Sequence, residues 1–456
     1  MPAGVSRILM ARTPPGNPPL KTHDPDAQLA FAHRVVRELR DFGYVAYWAG
    51  GCVRDRLLGR TPKDYDVATS ARPEQIRQVF GQKRTLPLGA AFGVITVLGP
   101  KEAGQIEVAT FRCDAGYSDG RRPDAVTFSD AREDALRRDF TINGMFFDPL
   151  TEQVIDYVGG RADLEDQHIR AIGDPFARIA EDKLRMLRAV RFGAHFGFAI
   201  EEQTLAAVRQ SAAQVQVVSA ERISQEMRRM WTDPHRVRAL ELLLEAELLP
   251  QILPEIAALI GRQSVELAEG PCDVWHYLLR VVSAVEQPKF SLVAAAVLHV
   301  LAIPLSNSDD AAPEQEAARQ AEGIGRRWKL SKQEIEEIRW LVRHQVLWQG
   351  ATTMPWPKLQ RQLVAPLAAE WLQLAHAMAL TGRGSLDDIA YCQEKLELPT
   401  ETLNPPPLVN GHDLAELGMV EGPRVAGALV AIRDAQLLGE IRTRGEALEF
   451  ARKRLS

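Results

Sequence analysis

Two aspartates one residue apart, Asp64 and Asp66, are the first residues in this 456-residue chain whose type and spacing suggest chemistry. In an extended strand, residues i and i+2 point to the same face, which sets the two carboxylates side by side. Like charges that close raise the cost of ionisation. A divalent cation relieves it, and Mg²⁺ suits the pair because it takes one or two carboxylates together with substrate phosphates. The alternative is two solvated acids at a strand end. Upstream, Gly50 and Gly51 close the aromatic stretch Tyr44-Val-Ala-Tyr-Trp48-Ala, and Arg54 follows them. Two glycines between a strand and a helix let phosphate approach backbone N–H groups with no Cβ in the way. Arg54 adds a cation, although a plain tight turn explains the glycines as well. Together the two features suit one task, holding a triphosphate and its metal. The spacing is neither a G-x-G-x-x-G dinucleotide loop nor a Walker loop. Glu107 offers a third carboxylate. It suits in-line phosphoryl or nucleotidyl transfer at a metal pair, or else a cross-strand salt bridge to Arg112.

These residues need a scaffold, and hydrophobic periodicity supplies an α+β one. Leu29, Phe31, Ala32, Val35, Val36 and Leu39 make one face of a helix. Strands are expected at Tyr44–Trp48, Asp64–Ala68, Gly93–Leu98 and Gln105–Arg112, the last two as an antiparallel pair, with helices after Gly51 and over Pro73–Phe80. Cys113–Asp124 reads as a loop, Arg132–Asn143 as helical, and Met145–Asp148 with Val154–Tyr157 as a closing hairpin. From about Leu164 long helical patterns dominate, with breaks at Leu305–Pro313 and at the proline-rich Leu398–Leu408. The expected architecture is a mixed-sheet α+β head followed by an all-α remainder.

Bulk properties narrow the setting. The length exceeds what one core usually supports, and a net charge of −5 confines any nucleic-acid surface to local basic patches. Cys52, Cys113, Cys272 and Cys392 form no C-x-x-C pair and read as reduced thiols. No apolar run approaches the ~20 residues of a membrane span. Residues 1–26, rich in proline and glycine, read as a flexible leader without a signal-peptide core, so the cytoplasm is the expected compartment.

Four motifs in order carry a resemblance: Gly50-Gly-Cys-Val-Arg-Asp55, Asp64-Tyr-Asp66, Arg137-Arg-Asp-Phe-Thr-Ile-Asn143 and Glu181-Asp-Lys-Leu-Arg185. From about residue 30 onward the chain resembles the class II tRNA nucleotidyltransferases, the bacterial-type CCA-adding enzymes and their poly(A) polymerase relatives in the polymerase-β-like superfamily. The resemblance implies that Asp64 and Asp66 bind catalytic Mg²⁺. It implies that Gly50, Gly51 and Arg54 contact the triphosphate, and that Arg138 and Asp139 contact sugar and phosphates. Without it, Arg138 and Asp139 read as a helix-surface ion pair. It also implies a head over 27–165, a neck over 166–250, a body over 251–397 and a tail over 398–456.

On a helix, Glu181 and Asp182 precede Arg185 by four and three residues. An intrahelical salt bridge there is worth only about 0.3–0.5 kcal/mol. The same groups also suit base reading. Cytosine and adenine each present an amino donor beside a ring-nitrogen acceptor, which Asp182 and Arg185 complement. Uracil and guanine invert that order and leave groups unpaired, at about 1–3 kcal/mol each. The family is thought to select C and A this way. Arg188 and Arg191 continue the stripe at positions suited to phosphates.

Leu88-Gly-Ala-Ala-Phe-Gly-Val-Ile-Thr-Val97 and the tail segments Val409–Leu414 and Asp434–Glu440 resemble the tRNA-specific branch; in that family a shortened loop at the place of Arg112–Val126 accompanies CC-only enzymes, so the resemblance implies complete CCA addition. Many relatives carry an HD-type phosphohydrolase segment. Here the corresponding His299 is followed by Val300, which removes a metal ligand. His276, His299 and His344 are expected to be packing or surface residues, no phosphohydrolase activity is expected, and the helices are expected to clasp the acceptor and TΨC arms of tRNA. Arg222, Arg228, Arg229, Arg236, Arg238 and Arg326–Lys329 are candidate phosphate contacts, making binding salt-sensitive. The expected activity is Mg²⁺-dependent addition of C, C and A to tRNA from CTP and ATP. The alternatives are an A-adding enzyme or poly(A) polymerase and, in another class, an inactive tRNA-binding protein.

Overall fold

A computed structural model describes residues 24–115, 125–261, 264–267, 269–303, 313–417 and 422–455. The described chain divides into two units, one comprising Met1–Arg185 with Phe198–Ala207, the other Met186–Gly197 with Val208–Ser456.

The first unit opens with α1 (Pro25–Asp41), whose start is set by Asp24: its carboxylate accepts from the N–H groups of Asp26 and Ala27, and proline occupies the first turn. The expected apolar face is buried at Phe31, Ala32, Val35, Val36 and Leu39. Gln28 is buried with it, because its amide donates to the Lys63 carbonyl at 3.3 Å and tethers the segment that leads to Asp64. There follow β1 (Ala46–Ala49), α2 (Gly51–Leu57), β2 (Asp66–Thr69), α3 (Pro73–Phe80), β3 (Thr85–Gly89), β4 (Val94–Leu98) and β5 (Gln105–Thr110). The ribbon β6 (Arg112–Ala115) and β7 (Ala125–Phe128) precedes α4 (Ala131–Leu136), β8 (Phe146–Asp148) and β9 (Gln153–Ile155). Seven strands form one sheet in the order β3-β4-β5-β2-β1-β8-β9. Only β2 and β5 run parallel in it; the other neighbours are antiparallel.

Alternation sorts the residues onto two faces. One face buries Trp48, Val67, Ile95, Val97, Ile106 and Val108, with the Trp48 ring 4.8 Å from His33 of α1 and 4.9 Å from Tyr65. On the other, Ala49 and Ala68 pack with Phe111, Phe146 and α4's Ala131 and Ala135. Alanines on both sides of that contact let α4 lie close against the sheet, which places its C-terminal end over the Gly50 turn.

Three local expectations change. The ladder begins at Asp66, so Asp64 precedes the strand. The expected helix over Arg132–Asn143 is two pieces, α4 and a 3₁₀ turn at Thr141–Asn143, because Phe140 turns extended and bridges to Ala171, with the Thr141 N–H donating to the Arg170 carbonyl. Cys113–Ala115, expected in a loop, pairs as β6 with β7. The rest of that loop, including Tyr117, Ser118, Arg121 and Arg122, lies outside the described residues.

Among the described residues the second unit is helical except for an antiparallel hairpin, Ser264–Leu267 with Gly270–Asp273. At its centre every residue of the helix Phe290–Leu298 is buried. A separate apolar cluster joins helix Pro423–Leu437 to helix Arg444–Leu455 through Ile432, Ala435, Ala447 and Ala451. Among the described residues no single helix is long and apolar enough to cross a membrane.

Candidate active site

The parallel pairing of β2 with β5 sets Asp66 directly opposite Glu107. The same row continues to Ala49 and Phe146 on one side and to Thr96 and Leu86 on the other. Asp64 precedes the strand, yet Tyr65 between the two acids is buried against Trp48, and both acids stay exposed to solvent. Although open to water, Asp66 is surrounded by enough protein that lost hydration pushes its pKa up to about 6, with the charges of Asp64 and Glu107 adding to the rise and Arg138 opposing it. Nearby, burial pushes the Cys52 thiol up to about 12, which leaves it an inert core group.

Among the described residues, no three His, Cys, Asp or Glu side chains converge closely enough to form a complete metal cage. The donor set does fit Mg²⁺, which needs only one or two carboxylates when phosphates and water complete its shell. The repulsion from Asp64 and Glu107, which adds to the effect of lost hydration on Asp66, is what a cation offsets.

Gly50 has φ 73° and ψ −124°, and a Cβ there would lie 3.0 Å from Arg138 Nη1. The guanidinium therefore sits directly on the glycine turn. Gly50→Ala is expected to cost about 1–3 kcal/mol in backbone strain and to displace Arg138. The variant should show a lower thermal midpoint.

Beneath Arg138 lies a residue the sequence reading missed. Asp134 is 1% exposed and holds Arg138 through Oδ2 at 3.0 Å and Arg137 through Oδ1 at 2.6 Å. Its burial alone would raise its pKa, but the charges and hydrogen bonds of Arg138 and Arg137 outweigh that and hold it below the usual carboxylate range. Asn143 is the second omission. Its Oδ1 accepts from Arg54 Nη1 at 2.5 Å while its Nδ2 donates to Asp139 Oδ1 at 3.2 Å, so it links the first and third motifs. Asp55 also accepts from Arg54, at 2.7 Å. The signal for both omissions was present: Asp134 lies three and four residues before the two arginines, and Asn143 ends the quoted motif.

The fourth motif is not one helix. Helix α5 (Gly160–Glu165) and a short strand, β10 (His168–Ile169), lead to α6 (Pro175–Glu181); Asp182 is extended at φ −144°, and α7 (Leu184–Phe196) begins beyond it. The Asp182 carboxylate accepts from the Leu184 N–H at 3.0 Å, satisfying a donor that a helix start leaves unpaired. Arg185 pairs with Glu181 at 2.5 Å and donates to the carbonyls of Arg178 at 2.6 Å and Arg137 at 3.4 Å. Arg178 donates in turn to Leu136 O at 2.7 Å and Glu181 at 2.9 Å. A chain of arginine contacts thus ties Asp182 and Arg185 to the Arg137–Arg138 segment within the first unit.

Arg188 and Arg191 belong to the second unit. There Arg191 is held by Glu226 at 2.5 Å and lies 4.0 Å from the Phe192 ring centre, while Arg188 lies 5.3 Å from the same centre. Several expected phosphate contacts are ion-paired in place: Arg228 with Glu334 at 2.6 Å, Arg327 with Glu255 at 2.6 Å and Lys329 with Glu221 at 2.8 Å. Arg236 is a correction. It is 6% exposed and donates to the carbonyls of Val282 and Val285, closing the end of helix Val274–Ala284, so it faces no solvent. His299 is fully buried, with Nδ1 on Ala296 O at 2.7 Å and its ring 5.2 Å from Tyr277. Burial, aided by the charge of Arg383, pushes its pKa down to about 3. His276 is exposed and His344 half-buried.

The fold is that of a polymerase-type nucleotidyltransferase head: residues 46–170 match the Poly A polymerase head domain, and residues 197–260 match the family described as a probable RNA and SrmB-binding site of polymerase A. The CCA-adding enzyme of Lactiplantibacillus plantarum is 31% identical over 436 residues, which cover 93% of this chain and 96% of that one. The CCA-adding enzyme of Enterococcus faecalis is 45% identical over 214 residues, so the chain spans about half, 52%, of that relative's length. The crystal structure of the Bacillus stearothermophilus CCA-adding enzyme in complex with CTP superposes with a TM-score of 0.69 at 29% identity, over 94% of this chain and 98% of that one. The chain belongs to the CCA-adding enzyme family of nucleotidyltransferases.

Proposed function

We propose that this protein adds C, C and A to the 3′ end of tRNA, using CTP and ATP and releasing pyrophosphate, in the cytosol. The observation that carries the reading is the row in which Asp66 faces Glu107 while Arg138 lies on Gly50, beside Asp66. It sets an acidic group next to a cation-lined glycine turn, as attack on an α-phosphate requires. Similarity over 93% of the chain to the L. plantarum CCA-adding enzyme supports CCA addition, and likeness to the CTP-bound B. stearothermophilus enzyme supports the nucleotide.

Each residue has a role in this reading. Gly50 and Gly51 admit the triphosphate to the backbone, and Arg138 and Arg54 face its charge. Asp139, held by Asn143, faces the sugar. Asp64 and Asp66 hold Mg²⁺ in the two-ion arrangement, with Glu107 as a third carboxylate beside them. When bound, the ions lower the pKa of the attacking 3′-hydroxyl and neutralise charge on the departing pyrophosphate. Asp182 and Arg185 read the amino group and ring nitrogen that C and A share. Arg188 and Arg191 approach phosphates. The neck, body and tail, at 166–250, 251–397 and 398–456, clasp the acceptor and TΨC arms through backbone and shape.

The test uses transcripts ending before CCA, after C and after CC, each with CTP, ATP or both. Completion of all three residues is the expected result. Extension of the CC-ending transcript alone makes the protein an A-adding enzyme, long A tails make it a poly(A) polymerase, and RNA binding without product ends the enzymatic reading. Asp182→Ala tests the base reader. Loss of its contact is expected to relax discrimination against UTP by about tenfold or more, measured as the ratio of kcat/KM for CTP and UTP. An unchanged ratio removes Asp182 from base selection.

A further inference from the structure

Gly50 and Arg138, which the reading above assigns to the triphosphate, lie on the β1 side of Asp66. Gly50 and Arg138 lie over the β1 and β8 end of the row, while α4 packs on Ala49 and Phe146 and, further along the strands, on Ala68 and Phe111. An in-line displacement sets the attacking oxygen opposite the leaving pyrophosphate. The RNA 3′ end must therefore approach from the other side of Asp66, across Glu107 and toward β4 and β3. On that side the row runs Glu107, Thr96, Leu86, so Leu86 stands two strands, about 10 Å, from Glu107 on the same face.

The hairpin of β3 and β4 is the edge of the sheet and is unusually apolar for an exposed edge. Leu86 is 36% exposed, Leu88 83% and Phe92, in the turn between the strands, 42%. An irregularity between Leu86 and Gly89 shifts the pairing there, and the exposed cations Lys83 and Arg84 stand just before the strand. Apolar side chains flanked by cations complement unpaired ribonucleotides, whose base faces are apolar and whose linkages are anionic.

We propose that the β3–β4 hairpin is a shelf for the unpaired 3′-terminal nucleotides of the RNA substrate, with Leu86 and Leu88 packing against bases or riboses. This assignment rests on the nucleotidyl-transfer reading above. It makes the two leucines positioning residues for the primer, without a part in nucleotide selection.

Leu86→Ser and Leu88→Ser test it in the full-length protein. Both side chains are exposed, so both variants are expected to fold, as checked by thermal melting. Each is expected to raise the KM for a transcript ending in CC by about tenfold while leaving the KM for ATP unchanged. A photoreactive nucleotide at the transcript's last position is expected to cross-link within Thr85–Phe92. Product from the wild type with an unchanged transcript KM in both variants overturns the shelf alone; no product from the wild type overturns the transfer reading. A cross-link confined to other segments also overturns the shelf. So does sedimentation showing that the substitutions dissociate a self-association without changing transcript KM, since the leucines would then cover a second copy of the chain.

Discussion

Replacing Asp66 by alanine is expected to lower nucleotide incorporation by about 10³-fold, the scale on which preorganised electrostatic groups act, while tRNA affinity stays nearly unchanged. The separation follows from the structure. Asp66 faces Glu107 and Asp64 at the row's acidic centre, whereas the RNA contacts in our reading are spread over the helical unit and the hairpin. Single-turnover extension and filter binding on the same preparation check both halves; equal losses in the two assays would contradict it. A pH dependence accompanies this expectation. Lost hydration and the neighbouring acids keep a proton on Asp66 up to about pH 6, above the ordinary carboxylate value of 3.8. The folded chain therefore binds that proton more tightly than the unfolded chain does, and metal-free stability falls as pH rises between those values. Since Mg²⁺ competes with the proton, it should raise the thermal midpoint more at about pH 8 than at about pH 5. Chelation should reverse that gain.

The second large effect is on stability. Asp134→Asn is expected to destabilise the first unit by about 3 kcal/mol, the lower end of the range for breaking a buried ion pair, because the guanidiniums left behind keep some access to water. Asp134 is almost fully buried and answers both Arg137 and Arg138. Its depressed pKa gives the sign: the stabilisation is complete above the ordinary carboxylate range and is lost as pH falls through the lower folded value. The variant should therefore lie furthest below the wild type near neutral pH and converge with it in acid. Urea midpoints at several pH values measure this, and coincident wild-type and variant midpoints near neutrality would remove the role. Incorporation should fall as well, since Arg138 then keeps over Gly50 only its bond to the Asn143 carbonyl and its contact with the Phe146 ring.

Much of this protein's chemistry was legible in residue order alone. Glycines before Arg54, acids two apart, paired arginines before Asp139 and the acid–arginine motif at 181–185 are local patterns, and local patterns survive in sequence because their spacing is covalent. The buried face of α1 was legible for the same reason: a helix's period places Phe31, Val35 and Leu39 on one side whatever they meet. Its exception, Gln28, is explained only by a carbonyl 35 residues away. The break at Asp182 was hidden because an aspartate that caps a helix and one that sits within a helix occupy the same pattern. Asp134 and Asn143 were passed over because a buried carboxylate and an exposed one share a letter, and burial is a property of packing.

What the sequence determined by itself is the inventory of reactive groups and the α+β head that carries them. Tertiary structure alone decided their relations. It runs β2 parallel to β5, so that Asp66 meets Glu107; it lays α4 on alanines, so that Arg138 covers Gly50; and it leaves the β3 edge open on the acidic face. Those outcomes depend on which strands pair and which faces are covered, and both are set by free energy summed over the whole unit, which no short stretch of sequence contains.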